Sequence, residues 1–463
     1  MIVMKFGGSS LADAALLRHV ATLVEQAVAR AGEAALVVLS APGDATDGLV
    51  AATAHAARGD VAGARSITAD LLADAVACAT ELGLDPAPLV ALGAAVDRLL
   101  PQLASAPRDR ARLTDAVLAH GERISTALLT GVLRGRGGLV AEVDARLVMR
   151  TDERFGRARP DRPAIRRAAE HHLLPRLRSG TTLVTQGFVG AASDGATTTL
   201  GRGGSDWSAA LLAAAVAADE LQIWTDVPGV QTADPRIVPD ARPLAGLRPA
   251  EAAELAAFGA RVLHPATLQP AVDAGIPVTV RHTRRPDGRF TRIADDVVRP
   301  GLGVAAIASR GPVTVLTMTS RRMLAASGYL SRLFAVFGER GVPVDLITTA
   351  EVSVACTVEA DAPVGDLVRA LDGLAHVGVT TDQAIVAVIG DGLQSTERVL
   401  ERACGAIGDI EPRMVSFGGN SRNLSFVVPR EREADAVRRL HREFFGERAT
   451  LVTAGADGAG GLA

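Results

Sequence analysis

A chain of 463 residues, 48% hydrophobic and 22% charged, is long enough for several domains and too apolar for disorder. Its 49 basic residues against 52 acidic ones leave a net charge of −3 with no basic stripe, which argues against a nucleic-acid partner. The longest near-uniform apolar run, AALLAAAVAA at 209–218, falls well short of the ~20 residues that span a bilayer, so no membrane partner is expected.

In chain order, residues 2–6 (IVMKF) predict a buried strand running into Gly7-Gly8-Ser9-Ser10, and apolar residues from Leu11 to Ala27 then recur at helical spacing. A second buried strand is expected at 34–40, a mostly helical stretch from about 51 to 133, and further strands at 139–149, 181–186, 220–224 and 277–280. Helices at 205–217 and 249–260 alternate with them. Continuous apolar strands separated by helices indicate a mainly parallel sheet sandwiched by helices, within an α/β chain. After Pro300-Gly301 the pattern becomes β-α-β-β-α and then repeats. VDLITTAEVSVACTV and PRMVSFGGNSRNLSFVV both read as strand, polar turn, strand, each followed by a helix. That internal repeat predicts two ferredoxin-like units. The Gly-rich residues 451–463 are expected to be a mobile tail.

Three widely spaced cysteines, Cys78, Cys356 and Cys404, predict neither a disulfide framework nor a Cys-rich metal site. The start MIVMKFGG lacks the basic, apolar and cleavage-site pattern of an export signal, so a cytoplasmic location is expected.

Of the 49 basic side chains only one is a lysine, Lys5. Where every other basic position is arginine, that survivor points to a place needing a compact ammonium rather than a planar guanidinium. It stands at the end of a strand, directly before two glycines whose backbone N–H groups can approach an anion ahead of a helix N-terminus. Phosphate binding is therefore read from KFGGSS, against the alternative of a tight turn with an incidental lysine. A second cluster, TTTLGRGGSD at 197–206, supplies glycines for another backbone anion site and Arg202 for a carboxylate or phosphate. Asp206 enters a helix there, and capping and catalysis are equally open to it. In IWTDVPGVQTADPR, Thr225, Asp226 and Arg236 are candidates for a nucleotide pocket with Trp224 as its floor, against an ordinary loop exit. Glu122, in HGERIST, can bind an ammonium or stand as a solvated helix charge. His264 is read as a core histidine.

Together these pieces resemble aspartate kinase, and most closely its lysine-sensitive, single-function type. The resemblance runs from KFGGSS through HGERISTALL, TQGFVG, TTTLGRGGSD, WTDVPGV, TADPR, FGARVLHPATL and VDLITTAEVSV to LHREFF. It implies an amino-acid-kinase fold over 1–298 and two ACT domains, at 299–385 and 386–450, with 299–314 joined to the second as relatives interleave them. It also implies ATP-dependent phosphorylation of the L-aspartate β-carboxylate, the first step toward lysine, threonine and methionine, with Mg²⁺ carried by the nucleotide and no metal site of the protein's own. Lys5 and Asp206 are the implied catalytic pair. Lys5, Gly7, Gly8, Ser9, Thr225, Asp226, Gln231, Arg236, Arg261 and Val262 match nucleotide positions, and Ser40, Thr46, Glu122, Phe188, Arg202 and Asp206 match substrate positions. An allosteric amino acid, lysine or threonine, is implied at Met323, Ala326, Tyr329, Leu330, Val344, Asp345, Ala350 and Glu351. A homodimer or homotetramer through the ACT domains is implied as well.

The chain departs from its relatives at four of these places and beside a fifth: Arg261 replaces a usual lysine, Gln231 a common tyrosine, Ala326 and Ala350 two serines, and Asp47, next to Thr46, a common asparagine. The alternatives are a catalytically silent amino-acid sensor on the same scaffold, or a phosphotransferase of this fold acting on glutamate, carbamate or a nucleotide monophosphate.

Overall fold

The computed structural model describes residues 1–259, 265–298, 303–324, 326–396 and 398–446. The chain divides into two units, Met1–Val230 with Val262–Val297, and Gln231–Arg261 with Val298–Ala463. Segment 231–261, placed with the kinase region by sequence, thus groups with the C-terminal region. The tail expected at 451–463 lies outside the described residues.

The first unit runs β1 (Ile2–Phe6), α1 (Ala14–Ala31), β2 (Ala35–Leu39), α2 (Ala45–Ala57), α3 (Val61–Glu81), α4 (Ala87–Ser105), α5 (Arg110–Leu118), α6 (His120–Gly135) and β3 (Val140–Val143). It continues through α7 (Arg162–His172), α8 (Leu174–Arg178), β4 (Thr182–Gln186), β5 (Val189–Ala191), β6 (Thr197–Thr199), α9 (Gly204–Val216) and β7 (Glu220–Thr225). After β8 (Gly246–Leu247) and α10 (Pro249–Ala257) of the second unit, α11 (Pro265–Asp273), β9 (Val278–His282) and β10 (Thr291–Ile293) complete it.

The strands of this unit lie in the order β3-β4-β2-β1-β7-β9-β10, parallel from β3 to β9, with β10 antiparallel to β9. Every residue of β2 and β4 is buried, which is why these strands read as unbroken apolar runs: both sheet faces are covered. α1 begins where the Asp13 carboxylate accepts the Leu16 N–H and ends at Gly32, whose φ of 67° suits a residue without a Cβ. Its Leu17, Val20 and Val24 close over Met4, Phe6 and Trp224 from the sheet. Antiparallel β5 and β6 stand apart from this sheet as a two-stranded ribbon.

In the second unit, β11 (Val304–Thr319), α12 (Tyr329–Glu339), β12 (Ile347–Ala350), β13 (Ser353–Glu359), α13 (Val364–Leu371), β14 (His376–Gly390), α14 (Val399–Ile407), β15 (Met414–Phe417), β16 (Asn423–Pro429) and α15 (Glu433–Phe445) build one six-stranded sheet, ordered β12-β13-β11-β14-β16-β15. The two expected repeats are therefore not side by side as separate sheets. Val313–Thr319 of β11 pairs with β13, whereas Ala306–Arg310 of the same strand pairs with Ile385–Ile389 of β14, which also pairs with β16. Each repeat keeps its own core, Leu316, Leu333, Phe337 and Leu367 in the first and Ile307, Val388, Phe426 and Leu440 in the second. Ala233 and Val238 pack into the second core, and the Ile307 N–H donates to the Thr232 carbonyl at 2.8 Å, which is why segment 231–261 belongs to this unit.

Candidate active site

β4, β2, β1 and β7 are neighbours, and their carboxyl ends open into loops at one edge of the sheet, the edge where parallel α/β sheets hold ligands. Backbone bonds tie those loops together. The Gly187 N–H donates to the Leu39 carbonyl at 2.8 Å, the Ser40 N–H to Phe6 at 3.1 Å, and the Gly7 N–H to Trp224 at 3.1 Å.

Lys5, only 8% exposed, reaches from β1 to place its ammonium 2.7 Å from Oδ1 of Asp206. Asp206 lies in the first turn of α9, where the helix dipole favours its carboxylate. The residue at the helix N-cap is Gly203 and no side chain caps it, so of the two roles open to Asp206 the structure gives it the partner of Lys5.

Of the two glycines that follow, only Gly8 is sterically required: a Cβ on Gly7 would make ordinary contact with the Lys5 ammonium at 3.6 Å, whereas one on Gly8 would be driven to 2.7 Å from the Ala41 carbonyl and 3.0 Å from that of Gly43. Ser9 is exposed, while Ser10 is buried with its hydroxyl 2.6 Å from that of Thr283.

Ala41 links this loop to Glu122 in the first turn of α6. The Ala41 N–H donates to Glu122 Oε1 at 3.2 Å, and Gly121 lets α6 approach, because a Cβ there would meet that of Ala41 at 2.7 Å. Glu122 is 3% exposed, and its Oε2 has no hydrogen-bond partner among the described residues. Burial pushes its pKa up to about 8, against the two hydrogen bonds to backbone that pull it down. It is therefore not a solvated surface charge. Half-buried Ser40 opens the β2–α2 connection, and half-buried Thr46 and exposed Asp47 lie in the first turn of α2.

Phe188, half-buried, takes φ 64°, a left-handed conformation that costs a non-glycine residue of order 1–3 kcal/mol. It is held there by the Ser208 hydroxyl, which accepts its N–H at 2.9 Å, and by the Leu200 N–H, which donates to its carbonyl at 3.0 Å. Its ring lies against Gly204, where a Cβ would sit 2.7 Å from Cδ2. Arg202 is exposed between Gly201 and Gly203, whose φ values of 78° and 71° make the turn that presents it.

At the end of β7, half-buried Thr225 donates its hydroxyl to exposed Asp226 at 3.1 Å. Trp224 is not the floor of a pocket beside them. Parallel register sets Lys5 against Ile223 and Phe6 against Trp224, so Lys5 and Trp224 point to opposite sheet faces. Trp224 is 5% exposed and stacks on Phe6, with centroids 5.8 Å apart, inside the core under α1.

Gln231 and Arg236 belong to the second unit. Arg236 forks onto Asp234, with Nε 3.0 Å from Oδ1 and Nη2 2.6 Å from Oδ2. Arg261, Val262 and His264 lie outside the described residues. Among the residues expected to meet an effector, Met323, Ala326, Tyr329, Leu330, Ala350 and Glu351 line a cavity of about 560 Å³ together with Ser327 and Thr349. Val344 and Asp345 are not in its lining, and the Asp345 carboxylate is paired with Arg310. Tyr329 is buried, its hydroxyl donating to the Leu374 carbonyl.

The sequence reading passed over Asp115 and Ser208. Asp115 is fully buried on α5 and accepts from Gly156 and Thr199. An acidic residue at a buried helical position was the available signal for it. Ser208 had none, since a serine in an Ala-rich helix looks inert.

The amino acid kinase family matches residues 1–282, and an ACT domain matches 386–444. Lysine-sensitive aspartokinase 3 of Escherichia coli is 40% identical, with 96% of this chain and 99% of that protein covered. Chloroplastic aspartokinase 1 of Arabidopsis thaliana is 32% identical over 96% of this chain and 80% of its own length. Among solved structures, E. coli aspartokinase III with aspartate and ADP in an R-state superimposes with a TM-score of 0.81 at 39% identity, covering 96% of this chain and 100% of that one. The same enzyme with lysine and aspartate in a T-state gives 0.77 at 37% identity, covering 96% and 99%.

Proposed function

The chain belongs to the aspartokinase family, and we propose that it transfers the γ-phosphoryl group of ATP to the β-carboxylate of L-aspartate, giving 4-phospho-L-aspartate and ADP. The observation that carries this reading is the chain's single lysine, buried at the carboxyl edge of the sheet with its ammonium on Asp206. Glu122 offers a buried carboxyl for the substrate ammonium, and Arg202, exposed on the turn before α9, a guanidinium for its α-carboxylate, with Phe188 also assigned to the amino acid. Lys5, Gly7, Gly8, Ser9, Thr225 and Asp226 are assigned to the nucleotide, and Ser40 and Thr46 to the amino acid.

The nucleophile has a reference pKa of ~3.9 and is already ionised at neutral pH, so no general base is needed. A β-carboxylate oxygen bonds to the γ-phosphorus, the bond from that phosphorus to the β–γ bridging oxygen breaks, and ADP leaves with the electron pair. The obstacle is repulsion between two anions. Lys5 answers it with a point charge, and Gly7 and Gly8 with backbone that a phosphate can approach; Mg²⁺ carried in with the nucleotide would add further neutralisation. Asp206 holds the ammonium in place before the nucleotide arrives, competes with the phosphate for it, and keeps its direction.

Regulation by an amino acid at the cavity beside Tyr329, assembly as a homodimer or homotetramer through the ACT repeats, and a cytoplasmic location complete the reading. Among the described residues no helix is long and apolar enough to cross a membrane. The test is ADP release with Mg-ATP and aspartate, with hydroxylamine present to trap the acyl phosphate as a hydroxamate. Aspartate-dependent ADP and hydroxamate in equal amounts are expected. ADP release that does not depend on aspartate would overturn the proposal in favour of a silent sensor or another acceptor.

A further inference from the structure

Asp115 takes no part in the transfer, yet it is a fully buried carboxylate onto which two distant stretches of chain converge. Its Oδ2 accepts the N–H groups of Gly156 and Thr199, each at 2.8 Å, and its Oδ1 accepts the Thr199 hydroxyl at 2.8 Å. Among the described residues three donors meet it; burial pushes its pKa above the usual carboxylate value, and these hydrogen bonds pull the other way.

What it fastens is the root of the Arg202 turn. Thr199 also gives its carbonyl to the Ala158 N–H at 2.9 Å, and the next residue, Leu200, donates to the carbonyl of Phe188. Gly201 follows so close to the 156 segment that a Cβ on it would stand 3.1 Å from the Gly156 carbonyl. Arg202 itself is exposed between two left-handed glycines, so its direction is inherited from this root. We propose that Asp115 is a positioning residue for the acceptor amino acid: by clamping Gly156 to Thr199 it sets where Arg202 and Phe188 present themselves. This rests on the assignment of Arg202 and Phe188 to aspartate.

Side-chain chemistry separates the substitutions. Asp115→Ala leaves three donors empty and frees the turn. Asp115→Asn keeps one oxygen for the two backbone N–H groups, and its amide can donate to the Thr199 hydroxyl, which turns to accept. Expected for Asp115→Ala is an aspartate KM raised at least about tenfold, the scale set by losing hydrogen bonds to a charged group, with the ATP KM within about twofold of wild type. Asp115→Asn is expected to return the aspartate KM to within about threefold. A role confined to stability would lower the melting temperature and leave both KM values alone.

Arg202→Ala is measured alongside. An aspartate KM unchanged in Arg202→Ala overturns the assignment of the turn. A raised value there beside an unchanged one in Asp115→Ala overturns the present proposal alone, as does an equal rise in both KM values in Asp115→Ala. Should Asp115→Ala not fold, Thr199→Val, which removes only the hydroxyl, decides. A rise of a few-fold in aspartate KM with constant ATP KM supports the clamp, and no rise refutes it.

Discussion

Raising the pH from 6 to 8 is expected to tighten aspartate binding by well over an order of magnitude, and the reason is Glu122. The buried carboxyl has one oxygen on the Ala41 N–H and the other without a hydrogen-bond partner among the described residues, and burial pushes its pKa up to about 8. Below that value the free protein holds the proton, while an incoming ammonium needs the carboxylate, so binding must expel the proton. The resulting penalty on KM is a factor of 1 + 10^(8−pH), or about 100 at pH 6, about 11 at pH 7 and about 2 at pH 8. Initial rates across this range give the KM profile. Calorimetry at pH 7 in buffers of different ionisation enthalpy should find about 0.9 proton released per aspartate bound.

The same shift has a stability consequence of definite sign. The folded pKa lies above the unfolded one, so between about pH 5 and 8 the folded chain binds more protons. Stability then falls with rising pH by up to ~1.4 kcal/mol per unit, and the loss is complete once pH passes the folded pKa. Glu122→Gln, neutral at every pH, should lose this dependence, melt higher than wild type above pH 8, and bind aspartate weakly without pH sensitivity. A flat aspartate KM in the wild type, or no proton release, would refute the argument.

Lys5→Arg should melt within a few degrees of wild type and lose turnover, because a planar fork cannot replace an ammonium enclosed beside Gly7 and Asp206. Single-turnover ADP formation above about a tenth of the wild-type rate would count against it. Gly8→Ala is expected to cost ~1–3 kcal/mol in urea unfolding and to raise both KM values, since the new Cβ meets backbone carbonyls rather than yielding side chains. Two missing hydroxyls in the cavity proposed for an amino-acid effector, at Ala326 and Ala350, predict weak lysine binding. Restoring each with Ala326→Ser and Ala350→Ser should tighten it by ~0.5–1.5 kcal/mol in calorimetry, about two- to twelvefold.

How much of this was legible depends on whether function sat in a local pattern or in a meeting of distant segments. The β1 strand, its two glycines and α1 could be read directly, because strand, turn and capped helix are consecutive and Lys5 stands out by composition. Glu122 was ambiguous: α6 buries His120, Gly121, Ser125 and Thr126 along with it, so hydropathy alone mimics an exposed face. Trp224 was misread for the opposite reason. In a strand buried on both sides, alternation does not say which face holds the site, and only the register against β1 does. Asp115 offered only an acidic residue at a buried helical position, and Ser208 nothing at all, because their partners lie 84 and 20 residues away.

The C-terminal repeat was visible as a pattern, while the sharing of 299–314 with the second repeat came only from the family resemblance, and the physical reason also bears on regulation. A strand that serves two modules reads as one apolar run, and its division falls at Gly311-Pro312, where proline has no N–H to give to a ladder and the pairing with β14 shifts register between Arg310 and Val313. On one side of that break β11 belongs to the repeat whose cavity is lined by Tyr329 and Glu351, and on the other to the repeat whose core holds Ala233 and Val238. The cavity is lined by the Thr349–Glu351 edge, β12 pairs with β13, and β13 pairs with Val313–Thr319, so a ligand bound there would press on that edge. Packed strands move as bodies rather than deforming continuously, so a displacement entering at that edge is taken up where register is already irregular. In this chain that irregular register lies between Arg310 and Val315, and the Arg310 guanidinium, paired to both Asp345 and Glu359, fastens one side of it.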